Sequence, residues 1–234
     1  MSLRTSFKGW LGEILTIVTV KMRLNRANYT GIHNVTIQTR NGTTQIDHVI
    51  ASRYGIFVVE SKNMSGWIFG DKTGREWTQI LSRQRFKFQN PLHQNYRHAR
   101  ALSEFLGIDQ SRIFPVVMFW GNCQLRTDVP PNVLKTGLAE YIKSKRLVLF
   151  DDADVKWIVA ALKHSMLPRT WTTHRRHVAW LKERFDSTTT CAKCGNPMIL
   201  RTARSGGYAG SHFYGCTNYP ACRYIKRLEQ PVSA

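Results

Sequence analysis

Asp47, Glu60 and Lys62 have the residue types and spacing that chemistry at a phosphate needs, in the stretch QIDHVIASRYGIFVVESK from Gln45 to Lys62. Two apolar, β-branched runs flank Ser52-Arg53-Tyr54-Gly55, which is a hairpin signal. With Arg53 and Tyr54 as a two-residue loop, Ser52 pairs with Gly55 and Asp47 falls opposite Glu60. Side chains two apart on a strand share a face, so Lys62 joins the two carboxylates, while Val59 and Ser61 point the other way. The hairpin is otherwise apolar on both faces, as in a central strand pair covered on both sides, and an unpaired charge there costs several kcal/mol. A hard divalent cation, Mg²⁺ or Mn²⁺, would relieve that cost: it takes carboxylate, phosphate and water oxygens, lowers the pKa of an attacking water and polarises a phosphate, and a nearby ammonium stabilises the developing charge. The same residues also fit a structural Asp47–Lys62 ion pair with Glu60 at a strand end. A loop one residue longer would put the carboxylates on opposite faces.

The elements that position these residues can be read along the chain. Phe7 to Leu24 has Trp10, Ile14, Ile17 and Val18 at helical spacing, although Ile-Val-Thr-Val fits a strand too; by itself Glu13 reads as a solvated helix residue. Asn34 to Thr39 is a first strand and Asn41-Gly42 the turn into the hairpin, giving a meander. His48 points away from Asp47 and reads as a core histidine. GWIFGDKTGREWTQIL predicts a further hairpin turning at Lys72 to Gly74, with Trp67 and Trp77 as core aromatics. Arg83, Arg85 and Lys87 alternate with Gln84, Phe86 and Phe88, so an extended segment puts cations on one face, as a phosphate track or a solvated edge. Asn90-Pro91 starts a helix that Gly107 stops, with Leu92, Tyr96, Ala99, Leu102 and Leu106 inward and Gln94 and His98 on a wet face. Arg112 to Gly121 is a buried strand beside the hairpin, and Cys123 a core thiol. Asp152 caps a helix to Lys163, and Thr172 to Phe185 forms another.

After the polar linker 187–190 the composition changes. Cys191-x-x-Cys194 and Cys216-x₅-Cys222 offer two close thiolate pairs, the spacing of a zinc ribbon. Four protein ligands leave no open position, so one structural Zn²⁺ is expected, without which so small a module would not fold. From Cys191 to Glu229 six Lys/Arg, including Arg223 and Lys226, stand against one acid, and aromatics such as Tyr214 and Tyr219 offer stacking surfaces or the module's small core. Across the 234 residues, 34 Lys+Arg against 15 Asp+Glu give a formal charge of +19, which favours a polyanionic partner, nucleic acid first. No apolar run approaches the ~18 residues that span a bilayer. No signal-peptide pattern is evident, and metal-type cysteine spacing favours a reducing interior, so a cytoplasmic protein with no membrane partner is expected.

GTTQIDHVIASRYGIFVVESKNMSGWIFGD, with GWLGE upstream and NPLHQNYRHARAL downstream, resembles the nuclease-related domain (NERD) family of the restriction-endonuclease-like, PD-(D/E)XK superfamily, over residues 6 to 125. The resemblance implies an α/β fold whose restriction-endonuclease-like core has a central mixed β-sheet flanked by helices. It also implies Mg²⁺-dependent phosphodiester cleavage with Glu13, Asp47, Glu60 and Lys62 as site residues, Glu13 in a supporting metal role and Gln94 approaching the site. Ile46 stands where the superfamily motif has Pro, which is often missing there. CAKCGNPMILR…HFYGCTNYPACRY is similar to the C-terminal zinc ribbon of bacterial type IA topoisomerases, which implies single-stranded DNA binding. The expected organisation is a nuclease-related core over 1–125, a helical extension of it over 126–186, the linker 187–190 and the ribbon over 191–234. The expected function is a metal-dependent deoxyribonuclease acting on single-stranded or branched DNA; the alternatives are a non-catalytic nucleic-acid-binding adaptor and an RNA-processing enzyme.

Overall fold

A computed structural model of the chain describes residues 3–39, 42–165, 189–191, 196–205 and 207–228. The chain forms two compact units, Met1–Thr173 and His174–Ala234. The expected helix Thr172 to Phe185, Asn41 of the expected turn, and Cys194 lie outside the described residues.

The first unit is built on a mixed sheet. Helix α1 (Leu3–Arg23) precedes the meander of β1 (Tyr29–Thr39), β2 (Gly42–Ser52) and β3 (Gly55–Asn63). Ser52 pairs with Gly55, so the two-residue loop and its register are as read from the sequence. Gly55 is needed there: its φ is +131°, and a Cβ would lie 2.4 Å from the Phe114 ring. The chain then leaves this sheet for β4 (Gly66–Phe69), β5 (Glu76–Leu81), β6 (Gln84–Gln89) and α2 (Pro91–Leu106). It returns as β7 (Ile113–Trp120), beside the hairpin as expected of the Arg112 to Gly121 segment, and pairs parallel to β3. After β8 (Cys123–Leu125), β9 (Val133–Leu134), α3 (Leu138–Lys143) and α4 (Asp152–Ser165), the five-stranded order is β1-β2-β3-β7-β9, and a second sheet has the order β6-β5-β4-β8. The three short elements β8, β9 and α3 carry too little periodicity to be legible in advance.

Both faces of the mixed sheet are covered. One face packs Val49, Ala51, Ile56 and Val58 against Ala99, Leu102 and Leu106 of α2 and Ile158 and Leu162 of α4. The other packs Ile50, Phe57, Val59 and Met118 against Val20 and Leu24 of α1 and Leu138, Ala139 and Ile142 of α3. Strand alternation breaks at one place. Ile32 and Val35 both face α2, as do Ile46 and Val49, although odd spacing should separate them. Between them Asn34 has φ +55°, in the left-handed region, and it stands at the level of Asp47.

Several sequence expectations need correction. Trp77 is fully buried against Phe119, but Trp67 is 47% exposed, under the Arg126 guanidinium 4.7 Å from its ring centroid. Arg83 is not on an extended strand: with Ser82 it forms the β5–β6 turn, both at positive φ, while Arg85 and Lys87 share one face of β6. In α2, Tyr96 is exposed and its place in the stripe is taken by His93, Asn95 and His98, all buried. Asp151 caps α4 through the Asp154 N–H, one residue before the Asp152 expected from sequence.

The described residues of the second unit form three antiparallel strands, β10 (Met198–Thr202), β11 (His212–Cys216) and β12 (Ile225–Arg227). Among its described residues, Cys191, Met198, Cys216, Cys222 and Tyr224 form a small core, with Tyr214 against it.

Candidate active site and zinc centre

The β2–β3 ladder ends at His48 and Val59, and a side chain takes over where it stops: the Ser61 N–H donates to Asp47 Oδ2 at 2.8 Å. This sets Asp47 beside Glu60 and Lys62 without a further backbone pair. Glu60 is 3% exposed, and Lys62 Nζ donates to its Oε1 at 2.5 Å and to Gln94 Oε1 of α2 at 3.1 Å. The expectation that three charges converge is met, and Gln94 reaches them.

The electrostatics of the cluster follow from burial and mutual charge. Burial first, then the Glu60 charge, pushes the Asp47 carboxyl well above the usual range, and Glu13 adds to this more weakly. Burial also works to raise Glu60, but the Lys62 ammonium and the His98 ring outweigh it and hold the carboxyl at about 2. Lys62 is raised because Glu60 and Asp47 outweigh the burial that would lower it. One negative charge is therefore balanced by Lys62, whereas two are costly. The charge of a divalent cation would let both carboxylates ionise, and Glu60 Oε2 is buried with no hydrogen-bond partner. The residues fit a hard cation on both counts.

Glu13 is half-buried on α1, and the preceding Gly12 lets that helix approach the end of β3: a Cβ at Gly12 would lie 3.0 Å from Asn63 Cβ. Two residues that the sequence reading missed complete the surroundings. His98, expected on a wet face, is buried with Nδ1 2.8 Å from Thr44 Oγ1 and Nε2 3.5 Å from Glu60 Oε2. Asn95 donates to both Val58 O and Val116 O, tying α2 to adjacent strands β3 and β7. Pro91, Asn95, His98 and Leu102 fall on one helical stripe, so polar residues at core positions were the available signal.

On the opposite face of the sheet, Ser61 Oγ links Thr16 Oγ1 (2.8 Å) to His48 Nε2 (3.2 Å), and His48 Nδ1 lies 2.9 Å from His33 Nδ1. His48 is thus the buried core histidine that was expected. Burial and His33 lower its pKa to about 3. Cys123 is buried as the first residue of β8, with Lys135 Nζ 3.5 Å from its sulfur.

In the second unit the sulfurs of Cys191, Cys216 and Cys222 lie within 4.8 Å of one another, and those of Cys191 and Cys222 are 3.8 Å apart. Sulfurs held about 2.3 Å from one tetrahedral zinc stand about 3.8 Å apart. The Asn218 N–H donates to Cys216 Sγ at 3.4 Å, as suits a thiolate. The set fits a structural zinc. Of the candidate nucleic-acid contacts, Arg223 and Tyr219 are exposed, and Tyr214 pairs with Lys226 across β11 and β12, both half-buried. Arg83, Arg85 and Lys87 are exposed, Lys87 with Glu76 at 3.8 Å. No helix among the described residues is long and apolar enough to cross a membrane.

Comparison with known proteins accords with this division. Residues 8–120 match the nuclease-related domain family, and residues 188–231 match the topoisomerase DNA binding C4 zinc finger. An uncharacterized protein of Bacillus anthracis is 41% identical over 121 residues, 51% of this chain and 56% of that protein, so the chain spans little more than half the relative's length. No solved structure matches the chain. Residues 8–120 therefore belong to the nuclease-related domain family, and the chain joins that domain to a topoisomerase-type C4 zinc ribbon.

Proposed function

We propose that the protein is a Mg²⁺-dependent deoxyribonuclease whose zinc ribbon retains single-stranded or branched DNA. The observation that carries this reading is the buried Asp47–Glu60–Lys62 cluster, in which Glu60 Oε2 makes no hydrogen bond and has only His98 Nε2 beside it at 3.5 Å. Asp47 and Glu60 are the residues that would hold the metal, with Glu13 in support. The bound cation supplies Lewis acidity at the scissile phosphate and a water acidified towards neutral pH. Asp47 is oriented by the Ser61 N–H, so its carboxylate presents the other oxygen to the site. Lys62 stays charged and is aimed by Glu60 and Gln94, ready to donate to a phosphate oxygen as charge develops on it or to orient the attacking water. Gln94 commits its carbonyl to Lys62 and keeps its NH₂ as a donor. A binding adaptor would have no use for buried carboxylates beside a phosphate.

The test is incubation of the purified chain and its Asp47→Ala variant with circular single-stranded DNA, supercoiled duplex, linear DNA and RNA, with Mg²⁺ or with EDTA. Metal-dependent cutting of DNA by the wild type alone is expected. Binding without cutting of any substrate would favour the adaptor, and preferential cutting of RNA the RNA-processing enzyme.

A further inference from the structure

The second sheet has one face that its core does not use. Ile68, Trp77 and Phe88 point inward to Phe119 and Val117. Strand register turns Trp67 and Phe69 of β4 the other way, together with Arg85 and Lys87 of β6: Trp67 aligns with Arg85, and Phe69 with Lys87, each across one residue of β5. Arg126, just past β8, stacks on Trp67. The acid on this face is Glu76, at the sheet margin and paired with Lys87. An indole left 47% exposed, with one guanidinium stacked on it and Arg85 and Lys87 on the same face of a chain of charge +19, is complementary to a ligand that is both flat and anionic. Trp67 also follows Lys62 by only five residues, a reach of at most about 18 Å even if fully extended.

We propose that this face holds single-stranded DNA, with an unpaired base stacked on the Trp67–Arg126 pair and backbone phosphates on Arg85, Lys87 and Arg126, leading the strand towards Asp47, Glu60 and Lys62. The destination of the strand rests on the nuclease reading; the stacking does not. Only an unpaired base has a free face to lay on an indole or a guanidinium plane, so the surface selects single strands over duplex. A strand threaded here reaches the site already unpaired.

The experiment measures binding of the full chain to a dT₁₂ oligonucleotide and to a DNA hairpin duplex closed by a non-nucleotide ethylene-glycol linker, which leaves no unpaired base, by fluorescence anisotropy in Mg²⁺-free buffer so that nothing is cleaved. Trp67→Ala should weaken dT₁₂ binding about 5- to 150-fold, the range for losing one stacked base, and leave hairpin binding unchanged. Trp67→Phe should lose less, and Arg126→Ala should also lower the salt dependence of dT₁₂ binding. Equal dT₁₂ affinity of W67A and wild type, or parallel loss for single strand and hairpin, would overturn the proposal. So would sedimentation showing that W67A converts a dimer to monomers, because the face would then belong to a second copy. A protein that binds dT₁₂ through Trp67 but cleaves nothing in Mg²⁺ leaves this proposal standing and removes the nuclease reading.

Discussion

Lys62→Met removes the ammonium that balances a carboxylate with almost no access to water. The Glu60 carboxyl sits at about 2 against an ordinary 4.5. A carboxyl depressed in this way contributes stability that is complete above pH 4.5 and lost as the pH falls towards 2; a difference of about 2.5 units corresponds to about 3 kcal/mol. Without Lys62, the burial that works against the charge is opposed mainly by His98, and Glu60 must take up a proton or stay charged without its chief partner. At pH 7 without Mg²⁺, K62M should therefore lose about 3 kcal/mol, at the lower end of the cost of breaking a buried pair, and melt about 6–12 °C lower. E60Q/K62M removes both charges and should be less destabilised than K62M alone. Adding 10 mM MgCl₂ should restore part of the loss in K62M and none in the double variant, because the cation replaces the ammonium only beside a carboxylate. Urea unfolding followed by tryptophan fluorescence suits the test, since no tryptophan lies at or beyond Cys191. If K62M unfolds within 0.5 kcal/mol (about one third of a tenfold change) of wild type, or if the double variant costs the sum of E60Q and K62M, the reasoning fails.

Two further predictions concern other parts of the chain. Titrating the ribbon thiols with a mercurial should release one zinc per chain and abolish ordered structure from Cys191 onward, a stretch without tryptophan, while tryptophan fluorescence stays unchanged; no zinc, or unfolding of the first unit alongside, would contradict the structural assignment. His48 has a folded pKa of about 3 against 6.5, so below pH 6.5 the unfolded chain binds the extra proton and stability falls by about 1.4 kcal/mol per pH unit towards pH 3. His48→Asn should flatten that slope, and identical slopes in pH-dependent urea unfolding would refute the buried neutral ring.

The central hairpin was legible because its information is local. A two-residue turn with Gly55, continuous β-branched runs and strand alternation together fix the register, and with it the meeting of Asp47, Glu60 and Lys62. The four-cysteine spacing announced the ribbon for a similar reason, since a metal site needs few residues at set intervals. The face of Trp67 was not legible, because alternation shows which residues share a face and not which face the core covers. That depends on Phe119 and Val117 from a strand some fifty positions away. Likewise the Arg83 turn requires positive φ at Ser and Arg, which their residue types do not advertise.

The misreading of α2 has a more particular cause. A hydrophobic stripe predicts what a helix buries only when burial is apolar, and the first half of α2 buries polar groups. Asn95 must face inward because its amide reaches two backbone carbonyls, and that contact fixes α2 over the junction of β3 and β7. With Asn95 so held, His98 comes over Glu60 and Gln94 over Lys62 without any further device, since positions three and four apart lie on one side of a helix. Tyr96, apolar by type, is turned to solvent by the same rotation. The helix thus sets the pair of site contacts through a residue that touches neither Glu60 nor Lys62, which is why the polar stripe Asn95-x-x-His98, and not the apolar one, is the feature of α2 that locates the site.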